Sequence, residues 1–257
     1  MRLRENNETI IAAVSELKDG NMRVGSIPPL LGGPDSLALQ NRALYFSEIL
    51  GINPLEVVSA GLIHRGRVEV VGHPHSEKPI FIPEVDSLIT GEKGVYLSIT
   101  AADCPPLFLF DPIKEVIALI HCGWKPLASK VIENTFKVLG EQFGVDNRSD
   151  LIAWIGPGIC RTCYEVGPEV WQKFYSPHIT DEPTQKMNIS LSAIITQKLL
   201  HAHVESVNIF EIFNECSFHQ EYRDVGSAEE KKFKYFSFRR QKSNPLQTQM
   251  AVLGMKK

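Results

Sequence analysis

The sequence predicts one compact α/β (α+β) domain over residues 1–257, with mixed β-sheets and flanking helices. A chain of 257 residues exceeds the usual single-domain length, yet it suits one large α/β unit with a substantial core. Short runs rich in β-branched residues recur along it, separated by segments whose apolar residues fall at helical spacing. Residues 107–110 (LFLF) and 116–120 (VIALI) flank the turn signal Asp111-Pro112 and read as an antiparallel hairpin.

Before residue 27, Ile10, Ile11, Val14 and Leu17 show a modest apolar rhythm. The stretch 27–34, IPPLLGGP, reads as a loop; its Gly-Gly pair suits an ordinary turn or a close approach to a ligand. Over 36–50, Leu39, Ala43, Phe46 and Leu50 share one helical face, and Gly51 supplies a left-handed cap. Strands follow at Val57-Val58, 68–71 and 95–99. Past the hairpin, Pro126 suits the first turn of a helix extending toward Gly140, with Leu127, Val131, Thr135 and Val138 inward. Then come a strand at 151–155, a short helix from Val166 through Trp171, an exposed polar stretch at 176–185, a helix over 190–201 and a strand at 207–213. The segment 229–242, EEKKFKYFSFRRQK, has the basic residues and aromatics of a nucleic-acid contact, but its alternation also suits an ordinary strand whose arginines face a small anionic substrate, and its short length favours the strand.

A formal charge of −3 without a sustained basic block excludes a general nucleic-acid binder, and no long apolar span suggests a membrane segment. The start MRLRENNETI lacks an apolar signal core, so a cytoplasmic protein is expected. Five cysteines are an odd number for a disulfide framework, and reduced thiols are the default. Cys160 and Cys163 have CxxC spacing, with no second pair evident to complete a structural zinc knuckle.

The chemistry centres on residues 100–124. If the hairpin turn centres on Ile113, folding the second strand back brings Cys104 close to His121. A thiolate with imidazoles suits zinc, and one further nitrogen ligand leaves a position open for water or substrate. Singly, the two also read as a buried small hydrophobe and a strand-end histidine. His64 lies in a loop with Arg65 and Arg67, and alone reads as solvent-facing; His73 and His75 fit a surface turn. Asp103 suits either orienting a histidine or a metal-bound water, or capping the turn at Pro105-Pro106. Lys125 stands at a helix start beside the hairpin, where backbone donors and a cation favour an anion. In GPGICRTCYEVGPEVW, Glu165 suits proton transfer and Tyr164 stacking or hydrogen bonding to a ring. The plainer roles are helix capping and core packing. Cys216 reads as a buried structural thiol.

The motifs DSLIT, TAADCPP, HCGWKPLA, GPGICRTCYEVG and FSFRR closely resemble, in order, those of the YfiH-like family, with a match over about 41–240. Its members were once called multicopper polyphenol oxidases or laccases and are now described as purine nucleoside phosphorylases. The resemblance implies an α/β fold and a metal centre of two histidines and a cysteine: His64 from LIHRGRV, Cys104 from ADCP and His121 from HCGW. Zinc is the preferred ion and copper the alternative. It further implies phosphorolysis of adenosine, inosine, guanosine or S-methyl-5'-thioadenosine, with adenosine deamination as a second activity. Purine nucleosides and phosphate are then the partners, and Lys125 and Arg240 the phosphate binders.

Several positions depart from the family wording. Leu62 replaces a glutamine, Lys125-Pro126 an arginine and glycine, SIPPLLGG the TTRxGG motif and LQTQM a terminal TGR. Lys125 keeps charge without the bidentate geometry of arginine. Two other functions are consistent with the sequence: a copper-dependent polyphenol oxidase, and a metal-stabilised interaction protein without catalysis.

Overall fold

The computed structural model describes residues 9–25, 35–74, 76–175, 187–211, 215–221, 233–242 and 246–257. The strands are β1 (Ile10–Val14), β2 (Val57–Gly61), β3 (Val68–Val70), β4 (Ile80–Pro83), β5 (Ser87–Thr90), β6 (Tyr96–Ala101), β7 (Pro106–Asp111), β8 (Val116–His121), β9 (Ile152–Ile155), β10 (Glu165–Val166), β11 (Met187–Asn188), β12 (Ile209–Phe210) and β13 (Gln249–Met255). The helices are α1 (Ser36–Leu44), α2 (Trp124–Ala128), α3 (Val131–Phe143), α4 (Pro168–Trp171), α5 (Leu191–His201) and α6 (Phe238–Gln241).

Two mixed sheets stack face to face. One runs β1-β13-β6-β2-β4 and the other β12-β9-β7-β8-β5-β3, with β10 and β11 forming a separate ribbon. Side-chain alternation in the central hairpin explains the layering. Phe108 and Phe110 of β7 and Ile117 and Leu119 of β8 point into the inter-sheet core, where they meet Val58, Leu97, Ile99 and Leu253. Their neighbours Leu107, Leu109, Ala118 and Ile120 face the other way, onto Phe136 and Leu139 of α3 and Ile195 and Leu199 of α5. Each large apolar side chain fully buried in this way contributes about 1.5–3 kcal/mol. The outer face of the five-stranded sheet is covered by Tyr45, Phe46 and Leu50, which pack on Ala13, Tyr96 and Val252.

These observations match the predicted mixed-sheet α/β architecture. The helical pattern over 36–50 is α1 continued by a π-helical turn, Tyr45–Leu50, and Gly51 caps it at φ 69°. Three expectations change. The helix extending from Pro126 is broken into α2 and α3 at Lys130, which is left-handed at φ 61°. FSFRR forms no strand: the Ser237 hydroxyl accepts from Arg240 N and caps α6 instead. Of the strand predicted at 207–213, residues 209–210 form β12, pairing in parallel with β9, 207–208 belong to a 3-10 turn, and 212–213 lie outside the described residues. Residues 27–34, His75, 176–185 and 229–232 lie outside the described residues. Among the described residues no helix is long and apolar enough to cross a membrane.

Candidate active site

The hairpin register brings a thiol to an imidazole. Pro106 pairs with His121 and Asp111 with Val116. Asp111 Oδ1 fixes the turn by accepting from Ile113 N at 2.8 Å and Lys114 N at 2.9 Å. Counting outward, Cys104 falls opposite Gly123, directly beside His121. A β-carbon built on Gly123 would stand 2.8 Å from Cys104 Sγ and 3.5 Å from His121 Cε1. The missing side chain at 123 therefore makes room for the pair.

His64 arrives on the loop after β2. His64 and Gly66 are left-handed, with φ 63° and 75°, so the loop curls and aims successive N–H groups at one point. That point is Asp86, fully buried just ahead of β5. Its Oδ1 accepts from His64 N, and its Oδ2 from Arg65 N and Gly66 N, each at 2.7 Å. The far side of the loop rests on the break between α2 and α3. Asn134 Nδ2 donates to Gly66 O at 2.9 Å, and a β-carbon at Gly66 would lie 2.7 Å from Ser129 O. The His64 and His121 rings consequently meet edge to face, centroids 4.8 Å apart.

The site is electrostatically asymmetric. Burial and the neighbouring His121 lower His64 to about 4, with Asp86 opposing and Lys125 adding to the fall. At His121 burial works against charge, but negative charge at Cys104 and the Asp86 carboxylate outweigh it and raise the imidazole to about 9. Burial alone would raise Asp86; His121 and the three N–H donors reverse this and hold it at about 2. His121 Nδ1 lies 3.7 Å from Asp86 Oδ1, beyond hydrogen-bond range, and is buried without a hydrogen-bond partner. That orphaned nitrogen, the space over Gly123 and the soft-to-borderline donor set fit a metal such as zinc. Asp86 stands on the Nδ1 side of His121, where a carboxylate would orient the ring if its other nitrogen held a metal.

The other named residues form the adjoining wall, with roles redistributed. Asp103, left-handed at φ 82°, turns its carboxylate away from the histidines: Oδ1 accepts from Ser217 Oγ and Oδ2 from Arg239 N, both at 2.7 Å. The carboxylate beside the imidazoles is Asp86. Tyr164 is buried, and burial followed by the charge at Cys104 pushes its phenol up. The Arg239 guanidinium lies over its ring at 5.0 Å and donates to Glu165 O at 2.7 Å. Glu165 is exposed on β10. Arg240 gives its guanidinium to the carbonyls of Ser217 and Phe218, at 2.8 and 2.7 Å, and of Tyr235. It also sits 3.8 Å from the Phe233 ring centroid. Those bonds occupy the group that a phosphate would need, so the arginine beside the site is Arg239. Lys125 is exposed on α2, close enough to depress His64.

A second constellation lies behind this wall. Cys160, Cys163, Cys216 and His219 place their ligand atoms within 4.8 Å of one another and form a Cys3His cluster capable of coordinating a metal. Among the described residues it is the group of three or more donors drawn this close; in the hairpin site the His64 ring meets that of His121, and Cys104 and His121 flank the space over Gly123. The partner pair that the CxxC lacked in sequence is thus Cys216-x2-His219.

A family model described as multi-copper polyphenol oxidoreductase laccase matches residues 33–256. The chain belongs to this YfiH-like family. A purine nucleoside phosphorylase of Streptomyces coelicolor is 34% identical over 140 residues, 54% of this chain and 56% of that protein, so the match spans just over half of that relative. An adenosine deaminase, RL5, from an unknown prokaryotic organism is 28% identical over 191 residues, covering 70% of this chain and 72% of that one. The crystal structure of YlmD from Geobacillus stearothermophilus superposes over 100% of this chain and 99% of its own with TM-score 0.79 at 20% identity, which establishes the shared YfiH-like fold. Purine nucleoside phosphorylases thus recur among the chain's sequence relatives, and a candidate metal site is present.

Asp86, Arg239 and the Cys216-His219 pair were missed in sequence. An acidic residue opening a buried apolar strand, and a C-x2-H echo of the C-x2-C, are the signals that could have revealed two of them.

Proposed function

We propose that the chain is a zinc-dependent purine nucleoside phosphorylase acting on adenosine, inosine, guanosine or S-methyl-5'-thioadenosine, with adenosine deamination as a second activity. The observation that carries this reading is the meeting of Cys104, His121 and the Asp86-anchored His64 beside the Tyr164–Arg239 pair. His64, Cys104 and His121 would hold the zinc, which supplies Lewis acidity at the reacting centre.

The surrounding residues then bind and orient. Tyr164 offers a buried aromatic face and a hydroxyl to a purine. Arg239 and Lys125 supply positive charge for phosphate. Asp103 fixes the Arg239 backbone and thereby the direction of that side chain. Glu165 carries the proton to the purine nitrogen that leaves as phosphate oxygen bonds the sugar C1 and the glycosidic bond breaks. In deamination, water adds at the purine carbon bearing the amino group and ammonia departs, converting adenosine to inosine.

A nucleoside panel assayed with and without phosphate tests the proposal. Free base and sugar 1-phosphate should form only with phosphate, and inosine should form from adenosine without it. Neither product from metal-replete protein would defeat it. Stoichiometric copper with oxygen uptake on phenols would instead support the oxidase alternative, and full metal without any turnover the interaction protein.

A further inference from the structure

We propose that Cys160, Cys163, Cys216 and His219 bind a structural zinc ion in a closed tetrahedral site, separate from the His64–Cys104–His121 set. The inference does not depend on the nucleoside reading.

The four donors come from two tight turns more than fifty residues apart in sequence. Cys160 precedes a 3-10 turn, Arg161–Cys163, and Cys163 N donates back to Cys160 O at 3.1 Å. In the second turn Gln220 N donates to Cys216 O at 2.9 Å. The ligands are three residues apart in each turn, and all four ligand atoms gather within one small space, so the two turns face each other with their donors inward. The chain pins the turns together: Gly158 and Cys216 form a parallel bridge, and Ser217 N donates to Gly158 O at 3.0 Å.

The distances suit zinc. Bond lengths of about 2.3 Å to sulfur and 2.0–2.1 Å to nitrogen in a tetrahedron require ligand atoms about 3.5–3.8 Å apart. Cys163 Sγ and His219 Nδ1 are 3.3 Å apart, and no pair in the group exceeds 4.8 Å. Closing on an ion therefore needs movements of about 1 Å or less. Cys160 N also donates to Cys216 Sγ at 3.2 Å, the kind of N–H to sulfur contact that supports a metal thiolate.

Three thiolates, one neutral imidazole and Zn2+ leave one net negative charge. Arg240, which faces Cys216 and bonds the Ser217 and Phe218 carbonyls, stands where that charge develops. Four protein ligands leave no open position, which marks a staple and not a catalytic ion. The staple would join the loop carrying Tyr164 and Glu165 to the 215–221 segment, whose Ser217 holds Asp103. An ion with no chemistry of its own would thus fix one wall of the site.

Zinc per chain, measured on the full chain after gel filtration in mild chelator, tests this. Cys216→Ser and His219→Ala should each contain about one equivalent less than the parent protein. Equal zinc in both variants and the parent would overturn the proposal. Cobalt substitution gives a readout that does not require those variants to fold. Cobalt-loaded Cys104→Ala should retain a strong tetrahedral thiolate-to-cobalt charge-transfer spectrum, and loss of that spectrum would equally overturn it.

Discussion

The backbone of Gly123 lies so close to Cys104 that an added β-carbon would sit 2.8 Å from the sulfur. Gly123 itself has φ −73° and ψ 167°, a conformation open to any residue. Gly123→Ala should therefore act by displacing the thiol and not by straining the chain. Metal affinity at His64–Cys104–His121 should fall on the order of tenfold to a hundredfold, comparable to losing a partner that orients ligands. Competition with a chromogenic chelator measures it, and unchanged affinity would show that the sulfur is not a ligand.

Asp86 collects three backbone donors with two oxygens. In Asp86→Asn the amide oxygen can serve one side of the loop, while the amide nitrogen must face a donor on the other. Each donor left unpaired costs about 1–3 kcal/mol. A fall of several degrees in Tm by calorimetry is expected, accompanied by weaker metal retention because His64 rides on that loop. A variant with parental Tm and parental metal content would refute the anchoring role.

The paired arginines should separate cleanly. Arg240→Ala removes the donor to three carbonyls and should lower Tm markedly. Arg239→Ala keeps the backbone bond to Asp103 and loses the side chain over Tyr164 together with its hydrogen bond to Glu165 O. It should leave Tm within a few degrees and raise KM for nucleoside or phosphate by roughly tenfold, the scale of one interaction worth about 1.4 kcal/mol. The reverse pattern would return the anion-binding role to Arg240.

Gly66 combines φ 75° with a near contact to Ser129 O. Gly66→Ala adds left-handed strain of about 1–2 kcal/mol to that clash. The loop should lift from the α2–α3 break, with faster amide exchange at residues 64–66 and reduced metal retention. Exchange rates equal to the parent's would count against this contact as the loop's support.

The hairpin was readable because its information is local: alternating apolar residues and an Asp-Pro turn set the register that brings Cys104 to His121. Membership of the metal set by His64 came from resemblance, since nothing near LIHRGRV announces that its loop will fold around Asp86 more than twenty residues later. Arg240 and Arg239 are adjacent and chemically alike, and only the cap at Ser237 decides which one turns to the protein's own carbonyls. The helix expected from Pro126 breaks because Lys130 turns left-handed where the His64 loop docks, a tertiary contact that periodicity cannot register. Cys216 and His219 gained meaning only when the fold set their turn against Cys160 and Cys163.

The placement of β13 between β1 and β6 bears on how the protein is made. Ile10 pairs with Met255 and Val14 with Ala251, so the first strand emerges from the ribosome long before its neighbour. During synthesis β7, β8 and β5 can pair while β1 still waits. The sheet that backs the hairpin is completed by a late, long-range closure, the slowest kind of contact for a chain to find. Until then the apolar inner faces of Phe108 and Leu119 lack part of their cover, and a chaperone that shields them would shorten the time during which the nascent protein can aggregate.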